Sequence, residues 1–131
     1  MTASRQNRAV FERYGDLARR AIPDTAVAGR YPTHARAERL LPAELAAKLA
    51  LGPEDSLIDI GCGPGNVLIP LACMAREVVG VDHPDVVARL AAHVRLPNVT
   101  LMGANFLDVE IGRRFSRVLV YGVVQLLADE A

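Results

Sequence analysis

The sequence predicts an α/β domain built on a parallel sheet, and three observations carry that reading. From Ser56 onward, short apolar segments ("LIDI", "EVVGVD", "VTLMGA", "RVLVYG") alternate with helical stretches. These segments are apolar at nearly every position, which is the pattern of strands buried on both faces rather than one. Three glycines, Gly61, Gly63 and Gly65, follow the first segment directly and precede a helix. Strands that alternate with helices imply a doubly wound sheet with helices on both faces.

The elements follow in order. Residues 4–22 read as a helix with Val10, Phe11, Tyr14, Leu17 and Ala18 along one face, ended by Pro23 and Asp24. "PDTAVAGRYPTHAR" reads as a loop held by Pro23, Gly29 and Pro32. A second helix covers about 37–49, with Leu40, Leu41, Leu45 and Leu49 at helical spacing. Pro42 lies within it, so its start falls either at Ala37 or at Pro42, where the ring is tolerated in a first turn. Residues 1–55 therefore form a helical prelude, and residues 56–131 the core.

In the core, "LIDI" is the first strand and "NVLIPLACMA" a buried helix that Pro70 should kink or break early. "EVVGVD" is the second strand, "PDVVARLAAHVR" a helix with Pro84 at its start, "VTLMGA" the third strand and "RVLVYG" the fourth. "VVQLLADEA" reads as the opening of a further helix. A fourth strand placed beside the first leaves a bare apolar edge, which natural sheets avoid. The expectation is a sheet truncated after its fourth strand, with a partner chain or a missing C-terminal segment over that edge.

Composition narrows the classes. The chain has 131 residues, enough for one core, and 51% of them are apolar. No apolar run approaches the ~20 residues of a membrane-spanning helix. The start, "MTASRQNRAVFERYGD", has no apolar stretch of the secretory kind. Fifteen basic residues balance fifteen acidic ones, so there is no charge footprint for nucleic acid or an anionic membrane. All the basic residues but Lys48 are Arg, which together with abundant Ala reflects codon composition. Cys62 and Cys73 lie in apolar surroundings without CxxC spacing. Neither a metal site nor a disulfide is expected, and a reducing cytoplasm fits.

The glycines carry the functional argument. In an open parallel sheet, ligands bind beyond the carboxyl ends of the strands. Glycine there lets the backbone turn sharply and approach a ligand without Cβ interference. The free N–H groups at the start of the following helix favour a negative group. A dinucleotide fingerprint, G-x-G-x-x-G/A, would need Gly or Ala where Asn66 stands. The observed spacing is D-x-G-x-G-x-G, led by Asp59.

This spacing resembles motif I of the class I S-adenosylmethionine-dependent methyltransferases, whose fold is Rossmann-like. The resemblance runs from Leu57 to Leu127. It implies that Asp82, at the end of "VVGVD", accepts hydrogen bonds from both ribose hydroxyls, as a carboxylate suits a vicinal diol. It places Asn105 and Phe106 of "GANFLD" beside the adenine, although Ala104 and Asn105 alter the commoner G-D pattern. "FSRVLVYGVVQLL" resembles the family's fourth-strand segment, with Ser116 in place of the usual acidic residue, so no role is carried to Ser116.

Under the resemblance, Asp59 lies near the cofactor's ammonium group; alternatively it accepts hydrogen bonds from the N–H groups of the glycine turn. Cys62 presents backbone rather than sulfur, and no partner base makes it a catalytic thiol. His83 either edges the adenine or is an exposed turn residue, and His93 is a surface residue. Tyr121 faces the acceptor or completes the rim, and Phe106 stacks or belongs to the core. Tyr31 and His34 belong to a lid or to a surface loop. The function implied is methyl transfer from S-adenosylmethionine to an unidentified acceptor, small molecule or other, with no residue nameable as a base. The alternatives are a non-catalytic cofactor-binding fragment or subunit of a split methyltransferase and, more distantly, an NAD(P)-dependent oxidoreductase.

Overall fold

The computed structural model describes residues 5–20, 22–28 and 35–126. Three helices come first: α1 (Arg5–Ala18), α2 (Asp24–Val27) and α3 (Ala35–Leu49). The alternating part follows with β1 (Ser56–Ile60), α4 (Leu68–Ala72), β2 (Glu77–Asp82), α5 (Pro84–Ala91), β3 (Val99–Gly103) and β4 (Arg117–Val120), then a 3-10 turn at Val124–Leu126.

The four strands are parallel and lie in the order β3-β2-β1-β4. Asp59 is in register with Gly80 on one side and Leu119 on the other. The chain steps outward from β1 to β3 and then returns to the far side of β1. This reversal places the topological switch point at the carboxyl ends of β1 and β4, where such sheets bind ligands.

Alternation within the strands sorts the core into two faces. Leu57, Val78 and Leu119 meet Leu41 and Leu45 of α3, Leu68, Leu71 and Ala72 of α4, and Leu90 of α5. Each fully buried leucine here contributes about 2 kcal/mol of transfer free energy. Gly80 allows a close approach in this core: a Cβ on it would lie 2.4 Å from Cδ1 of Leu68 and 3.0 Å from Sγ of Cys62. On the opposite face, Ile58, Val79 and Val81 are packed by Phe106, Ile111 and Phe115 of the β3–β4 connection. Among the described residues the helices cover one face, and this loop covers the other instead of the second helical layer expected. Its residues do not sustain a helix, since Gly112 adopts φ +68° and Arg113 turns back to pair with Glu77 above the Phe115 ring. The outer edge of β4 has no strand beside it among the described residues, and Val118 is 54% exposed.

Several element boundaries differ from expectation. α3 begins at Ala35 and runs through Pro42, which is buried. Pro70 does not break α4, because that helix starts only at Leu68 and the ring lies in the first turn, where no intrahelical donor is required. The stretch expected to be all loop after Pro23 contains the single turn of α2. Gly29, Tyr31, Pro32 and His34 lie outside the described residues, as does residue 127 onward of the helix expected over 123–131, whose described start is the 3-10 turn.

The two N-terminal helices join the core through α5. Ala18, Val27 and Val86 form a small separate cluster with Tyr14 and Ile22. Arg89 completes the joint: its Nε donates to Oδ1 of Asp24 at 2.8 Å, and its guanidinium also reaches the carbonyls of Ala18, Arg20 and Ile22. One side chain thus reaches the open carbonyl of Ala18 at the end of α1 and two carbonyls of the segment after it. At the opposite end of the sheet, Ser116 secures the entry to β4. Its Oγ accepts from the Ser56 N–H at 2.9 Å, while its N–H donates to Oγ of Ser56 at 3.0 Å.

Candidate functional site

The turn between β1 and α4 is built by backbone conformation. Gly61, Gly63 and Gly65 adopt φ values of +77°, +55° and +92°, a region costly for any residue with a Cβ. The three do not share one role. At Gly61 a Cβ would fall 2.1 Å from Cγ2 of Val123, so the segment after β4 sits directly on this glycine. At Gly65 it would meet Leu90 at 2.6 Å and Ile69 at 3.0 Å, so this glycine lets α4 and α5 close together. At Gly63 nothing lies within 4 Å. Of the three glycines, Gly63 faces open space, while Gly61 and Gly65 are met by side chains of other segments.

A cavity of about 270 Å³ opens above Gly63, at the switch point. Its lining brings together Asp59, Gly61, Cys62, Gly63, Asp82, Asn105, Phe106 and Tyr121 from the residues singled out in the sequence. The cavity also takes in residues that the sequence did not mark as functional: Val10, Phe11 and Tyr14 of α1, Glu38 of α3, Asn66, and Val123, Gln125 and Leu126. The apolar face of α1 was legible as a packing stripe, and nothing local tells that part of it lines a cavity.

Two carboxylates define the electrostatics. Asp82 accepts from the Gly63 N–H at 2.8 Å with Oδ2 and from the His83 N–H at 2.7 Å with Oδ1. Burial raises its pKa, and these two N–H groups oppose the rise. Each oxygen retains acceptor capacity toward the cavity. Asp59 is the contrasting case. The N–H groups of Gly61 and Cys62 both go to the Val81 carbonyl, that of Gly63 to Asp82, and that of Gly65 to the Cys62 carbonyl. The turn therefore leaves Asp59 without the hydrogen bonds of its alternative reading. Burial, and then the charge of Asp82, push its pKa up to about 7, with no hydrogen bond opposing the shift. A buried carboxylate in this state is stabilised by a cation placed beside it.

The remaining candidates divide. The Cys62 side chain belongs to the core, and burial followed by the charge of Asp59 raises its thiol pKa well above the usual range. It stays protonated, and Cys62 lies in the cavity lining. Asn105 is held by its own turn, its Oδ1 accepting from the Leu107 N–H at 3.0 Å, and Phe106 both packs under the sheet and lines the cavity. Tyr121 is 40% exposed at the cavity's edge. His83 fits neither of its readings: its side chain is 8% exposed, and its ring turns away from the cavity onto α1, 4.7 Å from Phe11. It caps α5, Nδ1 accepting from the Asp85 N–H at 3.1 Å. Among the described residues no cluster of His, Cys, Asp and Glu could hold a metal, and no helix is long and apolar enough to cross a membrane.

The strand order, with the glycine turn after β1 and the carboxylate closing β2, is that of a Rossmann-like fold. Comparisons by sequence and by structure both find methyltransferases similar to this chain. It is 39% identical over 79 residues to the 23S rRNA (uracil(1939)-C(5))-methyltransferase RlmD of Yersinia enterocolitica, a match over 55% of this chain and 17% of that one. It is 42% identical over 67 residues to the RlmD of Photobacterium angustum, covering 48% of this chain and 30% of that one. The chain thus spans less than a third of the length of these relatives. No family model matches it.

Among solved structures, the N-methyltransferase NodS of Bradyrhizobium japonicum, in complex with S-adenosylhomocysteine, aligns with a TM-score of 0.62 at 18% identity. The match covers 86% of this chain and 55% of that one. Phosphoethanolamine N-methyltransferase 1 of Haemonchus contortus aligns with a TM-score of 0.64 at 19% identity, over 85% of this chain and 24% of that one. At these identities the two structures show a shared fold.

Proposed function

We propose that this chain is the cofactor-binding portion of an S-adenosylmethionine-dependent methyltransferase. The observation that carries the reading is the pairing at the switch point. An open glycine, Gly63, donates to the ribose-ready carboxylate of Asp82, while the buried carboxylate of Asp59 has no donor from the turn. One end of the cavity suits a vicinal diol and the other an ammonium group. The cofactor's chemistry fits both.

When bound, S-adenosylmethionine supplies a methyl group already activated on a sulfonium. The residues of this chain then have three tasks. Asp82 orients the ribose through its two oxygens, and Asp59 holds the ammonium end. Gly61, Cys62 and Gly63 present backbone against the ligand, and Asn105 and Phe106 border the adenine. Val10, Phe11, Tyr14 and Tyr121 narrow the site and exclude water, so that an acceptor nucleophile meets the methyl group in line. Rate enhancement of this kind comes from positioning and desolvation.

The sequence relatives support a finer reading, in which the acceptor is an RNA base. They bring nucleic acid in as an acceptor class that the balanced net charge did not point to. The prelude, residues 1–55, together with the segment after β4, would then shape the approach to the methyl group.

Calorimetric titration with S-adenosylhomocysteine tests the cofactor reading. Wild type should bind, and Asp82→Ala should weaken binding at least tenfold, about 1.4 kcal/mol. A folded wild-type chain that takes up none would overturn it. Transfer of labelled methyl groups to ribosomal RNA, compared with a panel of small amines, decides the acceptor class.

A further inference from the structure

We propose that His83 latches α1 over the cavity, and that release of this latch sets the rate at which the site exchanges its ligand. The inference rests on the cofactor reading above.

His83 holds both sides of the junction at once. Its backbone N–H donates to Oδ1 of Asp82, the carboxylate assigned to the ribose. Its ring lies against Gly15 of α1 so closely that a Cβ there would come within 2.3 Å of Cε1. The Phe11 ring packs on it, tilted by 48°. Because Nδ1 accepts from the Asp85 N–H, Nε2 carries the proton and faces Oε2 of Glu12 at 3.3 Å. Gly15 is therefore a notch in α1 shaped to the imidazole, and the same turn of helix carries Phe11 and Tyr14 into the cavity wall.

Beyond the ring, α1 is held at its C-terminal end by the polar reach of Arg89 to the Ala18 carbonyl, with little apolar packing. α1 contributes no residue to the main core; its apolar hold on the protein is the small cluster of Ala18 with Val27 and Val86, bordered by Tyr14. A segment held by few buried contacts opens at a free-energy cost well below global unfolding. When α1 lifts, the wall formed by Val10, Phe11 and Tyr14 leaves with it and the cavity widens.

The test uses Gly15→Ala, which fills the notch, and His83→Asn, which removes the ring but keeps a side chain suited to cap α5. Association and dissociation rates of S-adenosylhomocysteine are measured by rapid mixing with a fluorescent cofactor analogue as competitor. Hydrogen exchange on the free proteins follows the α1 amides.

The latch predicts that each variant speeds both association and dissociation at least fivefold. In the double variant the second change should add no more than twofold, because the ring is absent where the methyl group arrives. The α1 amides should exchange faster in both variants, while those of β1 and β2 do not. A merely structural contact would speed dissociation and leave association unchanged, and that result overturns the proposal. So does unaltered exchange of α1 in Gly15→Ala. Failure of the cofactor reading is told apart from either, because it shows in the wild type as no binding at all.

Discussion

The turn after β1 and the joint between α1 and α5 sit on two sides of the same cavity and are held by opposite means. The turn is mostly main chain: positive φ at Gly61, Gly63 and Gly65, and N–H groups engaged by the carbonyls of Val81 and Cys62, with one going to the Asp82 carboxylate. The joint is almost all side chain. Arg89 reaches carbonyls of α1 and the residues after it, Arg19 meets Asp85, and His83 fills the notch at Gly15. A main-chain turn is specified by the residues within it and forms wherever they stand. A side-chain joint depends on segments distant in the sequence being brought together, and is the part a protein can loosen without unfolding.

If this contrast is right, damage beneath the turn and damage at the joint should differ in kind. Gly80→Val places a branched side chain where Leu68 and Cys62 already crowd the backbone. It should lower global stability by about 3 kcal/mol, the upper range for overpacking, with every probe reporting one transition. Denaturant unfolding followed by circular dichroism and by exchange of the β2 amides measures this. Arg89→Leu should have a smaller and local effect, about 2 kcal/mol, from leaving the carbonyls at the end of α1 without a charged donor. Exchange should rise along residues 5–28 while β1 and β2 keep their protection. A uniform loss in Arg89→Leu would show that α1 is integral to the core and would erase the contrast.

The same division explains what could be read before the fold was known. The four strands, their alternation with helices, and the place of Asp59 and Asp82 beside the glycine turn were legible because each rests on local patterns: apolar runs, glycine spacing, an acid at a strand end. The division of labour among the three glycines was not, because the side chains that meet Gly61 and Gly65 come from Val123, Leu90 and Ile69. His83 was misplaced for the same cause. It follows Asp82 in sequence and so seemed part of the adenine edge, but its neighbours Glu12, Phe11 and Gly15 lie far upstream. The segment between β3 and β4 read as a loop, and nothing local tells that its Ile111 and Phe115 cover a face of the sheet.

The finest test of the turn is a proton. Asp59 in the folded chain holds its proton up to about 7, because it is buried and faces Asp82. The unfolded chain releases the same proton in the ordinary carboxylate range. Between those two values the unfolded state binds fewer protons than the folded one, so stability contributed by this group falls as pH rises through the window and is level above it. An ammonium group placed beside Asp59 reverses the preference by favouring the carboxylate. Binding of S-adenosylhomocysteine should then release a proton below pH 7, and affinity should drop as pH falls, by at most about tenfold per pH unit. Titration in buffers of different ionisation enthalpy counts the proton directly. Asp59→Asn should abolish the release and flatten the pH dependence, while making the free protein more stable near pH 8, where the buried charge is removed. Proton release that survives in Asp59→Asn would move the linkage to Asp82, and the ammonium would have to be held by another group in the cavity.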